Sequence, residues 1–130
     1  MTGSPATQTC LLYFDDERPA AERLAAASGL DLRPVQRHRF PDGELKLTLP
    51  VDGAGQLPVR AVLLRSLYQP NDKLVELLLA ARAARALGVR HLTLVAPYLA
   101  YMRQDIAFHP GEAVSQRIVG PFLASLFDAV

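Results

Sequence analysis

The side chains with the most chemistry at the closest spacing are Arg103, Gln104 and Asp105, carried out of Pro97-Tyr98-Leu99-Ala100-Tyr101-Met102 and followed by Phe108-His109-Pro110-Gly111-Glu112. Arginine presents a planar fork of N–H donors that fits phosphate oxygens, and a glutamine amide both donates and accepts, as reading a base edge requires. Such a pairing suits a nucleotide. Its position agrees, because the segment leaves an apolar run at 91–96 (HLTLVA) that reads as a strand buried on both faces. Ligands of open α/β sheets gather beyond the carboxyl ends of such strands.

A second cluster, Phe40-Pro41-Asp42-Gly43-Glu44, lies between two extended pieces at 35–40 and 45–49. Proline fixes φ and glycine accepts a positive φ, so the chain is expected to turn back on itself here. In the second piece Leu45, Leu47 and Leu49 alternate inward against Lys46 and Thr48. Two readings of the turn stand side by side: a hairpin tip with solvated acids, or a ligand site. Phe40 argues for something more than a bare tip, since a large ring at an exposed turn needs a cover, whether a subunit or a base.

Other chemistries find little support. There is no GxGxxG and no GxxxxGK[ST], Ser66, Ser115 and Ser125 sit in no nucleophile elbow, and His38, His91 and His109 are too scattered for a metal cluster. His91 opens a strand, His38 belongs to the hairpin, and His109 is a loop residue at the periphery of the first cluster. The single cysteine, Cys10, has no partner for a disulfide or a zinc site and reads as a small strand residue in a reducing compartment. Gly111 and Ser115 are further donors near a helix start.

The elements that must hold these clusters alternate. A short apolar run at 10–14 (CLLYF) ends at Asp15 and Asp16, expected to cap a helix over 19–28 that Gly29 closes. After the hairpin and a turn-rich loop at 52–58 comes a buried strand, 61–64 (AVLL), then the best helix in the chain. Asn71 is its expected N-cap, Leu74, Leu77, Leu78, Ala81 and Ala84 its apolar stripe, Lys73, Glu76 and Arg82 lie off the stripe, and Gly88 stops it. A last helix over 115–126 carries Ile118, Val119, Phe122, Leu123 and Leu126 at helical spacing with Pro121 inside, and the alternation then calls for a further strand. The fold class is α/β: a mostly parallel sheet flanked by helices, with a β-hairpin projection.

With 130 residues, half of them hydrophobic, the chain is one domain's worth. Fourteen basic against 13 acidic side chains give no reason to expect a nucleic acid or membrane-surface partner. No stretch approaches the ~20 apolar residues of a membrane helix, and residues 1–9 resemble a flexible terminus rather than a signal peptide, so a soluble cytoplasmic protein is expected.

Taken together, Arg39-Phe40-Pro41-Asp42-Gly43-Glu44, Asn71-Asp72-Lys73-Leu74-Val75-Glu76-Leu77-Leu78 and Pro97-Tyr98-Leu99-Ala100-Tyr101-Met102-Arg103-Gln104-Asp105 resemble, in order and spacing, the N-terminal half of ribose-phosphate pyrophosphokinase (PRPP synthetase). The resemblance implies that 10–130 form the ATP-binding N-terminal domain of a phosphoribosyltransferase-like fold, with a homologous C-terminal domain outside this chain. It implies transfer of diphosphate from ATP to ribose 5-phosphate, giving PRPP and AMP, with Mg²⁺, in a homo-oligomer that shares its ATP site between subunits. Phe40, Asp42, Gly43 and Glu44 would reach the ATP of a neighbouring copy. Arg103 and Gln104 would hold ATP in their own subunit, with Asp105 and His109 at the edge of the site. No residue of this half is assigned as catalytic or as a metal ligand, and the fragment alone is expected to be inactive. One departure stands out: Ile106 and Ala107 follow Arg-Gln-Asp, where many relatives carry basic residues. It keeps two alternatives in view, a non-catalytic regulatory or assembly protein of the same family and a phosphoribosyltransferase that consumes PRPP.

Overall fold

The computed structural model describes residues 8–130, so most of the N-terminal stretch expected to be flexible lies outside the described residues. Its last residue is tied down, the Thr9 carbonyl accepting the Asp31 N–H at 3.3 Å. Five strands, β1 (Cys10–Phe14), β2 (Asp31–Arg39), β3 (Leu45–Thr48), β4 (Arg60–Leu64) and β5 (His91–Val95), form one sheet in the order β3-β2-β1-β4-β5. Pairing is parallel throughout except between β2 and β3. The helices are α1 (Arg18–Ser28), α2 (Pro70–Ala86) and α3 (Ser115–Leu126).

The period of two along each strand sorts the core onto two faces. Cys10, Leu12 and Phe14 of β1 pack with Leu77, Ala80, Ala81 and Ala84 of α2 and Leu123 and Leu126 of α3. Leu11 and Tyr13 turn the other way, onto Ala21, Leu24 and Ala25 of α1. The alanines on the buried stripe of α2 let the helix lie close to the sheet, and each fully buried leucine contributes about 1.5–3 kcal/mol. Glycine is required at the end of α1, where Gly29 has φ 74° and its N–H closes the last turn on the Ala25 carbonyl.

Several local expectations change. β5 buries only Leu92 and Leu94 fully, because it stands last in the sheet order; on its other face Val95 packs only partly buried at the rim of the α1-side cluster. Beyond it, Ala129 makes an isolated parallel bridge to Thr93, on the edge where the alternation leads one to expect a further strand. β2 begins at Asp31, four residues before the expected start: its first half, through Val35, pairs parallel with β1 and its second half, from Gln36, pairs antiparallel with β3. Asp15 and Asp16 do not cap α1. They form a single 3₁₀ turn, Asp15–Glu17, and their carboxylates turn to arginines instead. Nor is Asn71 the cap of α2, which starts one residue earlier on Pro70 with Gln69 in a left-handed conformation, φ 50°. On α3 the helix runs through Pro121 at the loss of one backbone hydrogen bond, and Ile118, 62% exposed, falls off the apolar stripe. No helix among the described residues is long and apolar enough to cross a membrane.

Candidate functional site

Residues following β5 fold back across the starts of α2 and α3 and border a cavity of about 470 Å³ that is open to solvent. Tyr68, Gln69, Pro70 and Asn71 form one wall, Tyr98, Ala100 and Tyr101 another, and Arg103, Gln104 and Ser115 complete it. Two helix N-termini therefore face one space, where their dipoles favour an anion, although Pro70 has no N–H and the Gln116 and Arg117 N–H groups are already bonded to the Gln104 and Val114 carbonyls. Gln69 (φ 50°) and Tyr101 (φ 64°), the two non-glycine residues with positive φ among the described residues, both line it. Such strain persists only where the surroundings enforce it, and it concentrates at ligand sites. A hydrogen bond from the Tyr101 hydroxyl to Asn71 Oδ1 pins that loop to α2.

Within the cavity Gln104 is held at both ends. Its carbonyl accepts the Gln116 N–H at 3.1 Å, and Ser115 Oγ donates to its Oε1 at 3.3 Å, which leaves the amide NH₂ available to a ligand acceptor. Arg103 makes no ion pair or hydrogen bond among the described residues, so its donors remain unspent. Asp105 and His109 do not line the cavity. The His109 side chain is 82% exposed, with Nδ1 3.6 Å from Glu112. Glu112 organises that loop by accepting the N–H groups of Phe108 and His109 at 2.8 Å each, and these hydrogen bonds hold its carboxyl below the usual glutamate range. Ser115 joins the site as expected of a donor near a helix start; Gly111, with φ 88°, serves the turn instead.

The Phe40-Pro41-Asp42-Gly43-Glu44 segment is a hairpin tip. The Phe40 N–H donates to the Glu44 carbonyl at 2.8 Å, the Gly43 N–H to the Phe40 carbonyl at 2.9 Å, and Gly43 has φ 95°. Asp42 Oδ1 accepts the Glu44 N–H at 3.0 Å, so part of its capacity goes to shaping the turn. Phe40 stays 40% exposed, with His38 edge-on at a centroid distance of 4.8 Å. No residue of the tip lines the Arg103 cavity of the same chain. The structure thus brings Arg103 and Gln104 together and leaves Phe40, Asp42, Gly43 and Glu44 apart from them.

A third polar cluster went unseen in the sequence. Glu76, read as a solvated residue off the stripe of α2, is 1% exposed, as is Arg65 just after β4. Arg65 Nε and Nη2 donate to Glu76 Oε1 at 2.9 and 2.7 Å, and Nη1 donates to Asp16 at 2.7 Å and Glu17 at 3.0 Å. Arg37 Nη1 meets the other oxygen of Glu76 at 2.7 Å, and both guanidinium groups lie over the Phe14 ring, at 4.5 Å for Arg65 and 5.4 Å for Arg37. Burial raises the Asp16 carboxyl, but the hydrogen bond and charge of Arg65, with Arg37 and Lys73, outweigh it and hold Asp16 below the usual aspartate range. Burial would lower both arginines, but the Asp16 and Glu76 carboxylates, with Asp15 for Arg37, push them above their ordinary value. An arginine placed immediately after a buried strand run was the available signal.

Residues 9–126 match the family model described as the N-terminal domain of ribose phosphate pyrophosphokinase. A ribose-phosphate pyrophosphokinase of Halobacterium salinarum is 39% identical over 122 residues, covering 92% of this chain and 41% of that protein. Its counterpart in Methanopyrus kandleri is 38% identical over 109 residues, 83% of this chain and 36% of its own length. Among solved structures, phosphoribosylpyrophosphate synthetase from Mycobacterium smegmatis superposes with a TM-score of 0.77 at 21% identity, over 92% of this chain and 40% of that one, which shows a phosphoribosyltransferase-like fold. The chain spans about two fifths of the length of these relatives. A five-stranded sheet with a hairpin at one edge and an arginine-glutamine pair beyond β5, matched from Thr9 to Leu126, places the chain in the ribose phosphate pyrophosphokinase family as its N-terminal domain.

Proposed function

We propose that the whole protein transfers the diphosphoryl group of ATP to ribose 5-phosphate, giving PRPP and AMP for nucleotide synthesis, and that this domain holds the ATP. The carrying observation is the cavity itself: an unspent Arg103 and an oriented Gln104 amide beside two helix N-termini. Arg103 would grip phosphate oxygens, where a charge-assisted fork is strongest, and Gln104 would donate to an acceptor on the nucleotide. Phe40, exposed and remote from its own cavity, would stack on the adenine held by a neighbouring copy, with Asp42 and Glu44 contacting base or ribose. The site is then shared within a homo-oligomer.

Such a transfer is mainly positioning and electrostatic stabilisation. Mg²⁺ would enter with its substrate as MgATP; the residues lining the cavity include no carboxylate, so this domain is assigned no ligand to it. Ribose 5-phosphate is assigned to the second domain that the family resemblance implies. The test is formation of AMP and PRPP from MgATP and ribose 5-phosphate by the full-length protein, where AMP release without ribose 5-phosphate dependence, or no turnover, overturns the reading. Ile106, 52% exposed where the family resemblance implies a cation, makes the non-catalytic member of the family the alternative outcome.

A further inference from the structure

The strand that carries the hairpin and the helix that walls the cavity are joined by ion pairs that neither half of the site uses for ligand. β1 ends at Phe14, opposite Val35, so β2 and β3 continue alone as a two-stranded ribbon, a form that is marginal in water without support. Leu47 and Leu49 pack its inner side on the core, yet apolar contact carries no direction. Direction comes from two rungs. Arg37 and Arg39, two residues apart, share one face of β2, and Asp72 and Glu76, four apart, share one face of α2. Arg37 meets Glu76 at 2.7 Å and Arg39 meets Asp72 at 3.3 Å.

Both rungs are anchored further. Glu76 is fixed by Arg65 from inside the core, and Arg39 Nη1 donates to the Gly43 carbonyl in the tip at 3.0 Å. At the other end, Asn71, next to Asp72, lines the cavity and holds Tyr101. Contacts therefore run unbroken from the hairpin tip to the wall opposite Arg103. We propose that this two-rung ladder is a positioning device: it sets the angle at which the hairpin leaves the sheet, and so couples the half-site a chain offers its own nucleotide to the half-site it lends a neighbouring copy. The coupling rests on the shared ATP site proposed above; Arg37, Arg39, Asp72 and Glu76 act through the hairpin and not on ATP.

The test uses the full-length protein with Arg39→Asp, Asp72→Arg and the two together, reversing an exposed rung that the fold tolerates, and Arg37→Gln for the inner rung. Two quantities are read: amide exchange at Phe40 and Gly43, whose N–H groups close the tip, and the KM for ATP against kcat. Each single reversal is expected to speed exchange and raise KM about threefold, the scale of an exposed ion pair, with kcat unchanged; the double reversal is expected to bring both back to the Asp72→Arg level or better, short of wild type because an aspartate at 39 cannot donate to the Gly43 carbonyl. Arg37→Gln is expected to shift both about tenfold, since its carboxylate partner is buried. Unchanged exchange, exchange that shifts without KM, or a double reversal that restores neither overturns the ladder. A wild-type protein that forms no AMP overturns the functional reading, and the coupling with it; AMP formation with indifferent reversals overturns the ladder alone.

Discussion

Arg65 and Arg103 stand beyond the carboxyl ends of neighbouring parallel strands, β4 and β5, and are opposites in every other respect. Arg65 is buried, with all three guanidinium nitrogens bonded to carboxylates and its plane over Phe14. Arg103 is exposed, lines a cavity and has no ion partner among the described residues. A saturated guanidinium holds the protein together; an unsatisfied one beside helix N-termini is available to an anion. What an arginine does at the edge of an α/β sheet is thus decided by whether the fold has already used its donors.

Breaking the buried side of this comparison should give the largest effect. Glu76→Ala strands Arg65 and Arg37 without their shared carboxylate and is expected to lower stability by about 3–5 kcal/mol, read as a fall in the urea midpoint. Arg103→Ala should leave that midpoint within about 0.5 kcal/mol and lower kcat/KM for ATP in the full-length protein about a hundredfold, about 2.7 kcal/mol. If Arg103→Ala moved stability as much as Glu76→Ala does, the division between the two arginines would be wrong. Phe40→Ala should raise the KM for ATP about tenfold, the worth of one aromatic ring stacked on a base, with no loss of stability. The smallest effect is on acid stability. Asp16 titrates below its ordinary range in the folded state, so the unfolded chain binds more protons; its contribution is complete above the usual aspartate range and is lost as pH falls through that range toward the folded value. Asp16→Asn should therefore flatten the acid limb of a stability-against-pH curve measured between about pH 6 and pH 3.

The difference between the two arginines also marks what sequence could show. Strands β1, β4 and β5, the stripe of α2 and the bounds of α3 follow from local periodicity, and the turn at Gly43 from its residue types, because neighbours in sequence make those structures. Arg103 and Gln104 were legible by their place after a strand. Glu76 was not: its partners lie 11 and 39 residues away, and a glutamate on a helix reads as solvated until those partners are in view. Asp15 and Asp16 misled for a related reason. Acids before a helix are usually caps, but here two distant arginines outcompete the helix N–H groups for them. The early half of β2 was hidden by Asp31, Arg33 and Pro34, residue types that seldom announce an interior strand.

Because β2 changes partners between Val35 and Gln36, its residues are indexed twice, once by β1 and once by β3. A single inserted or deleted residue at that junction would turn every later side chain over, taking Arg37 and Arg39 off the helix and rotating the Phe40 ring to the opposite side. A substitution at the tip changes one contact at a time. A change in the tip's distance in residues from Val35 moves them together, so an insertion or deletion between Val35 and Phe40 should cost more than a substitution at any single position there.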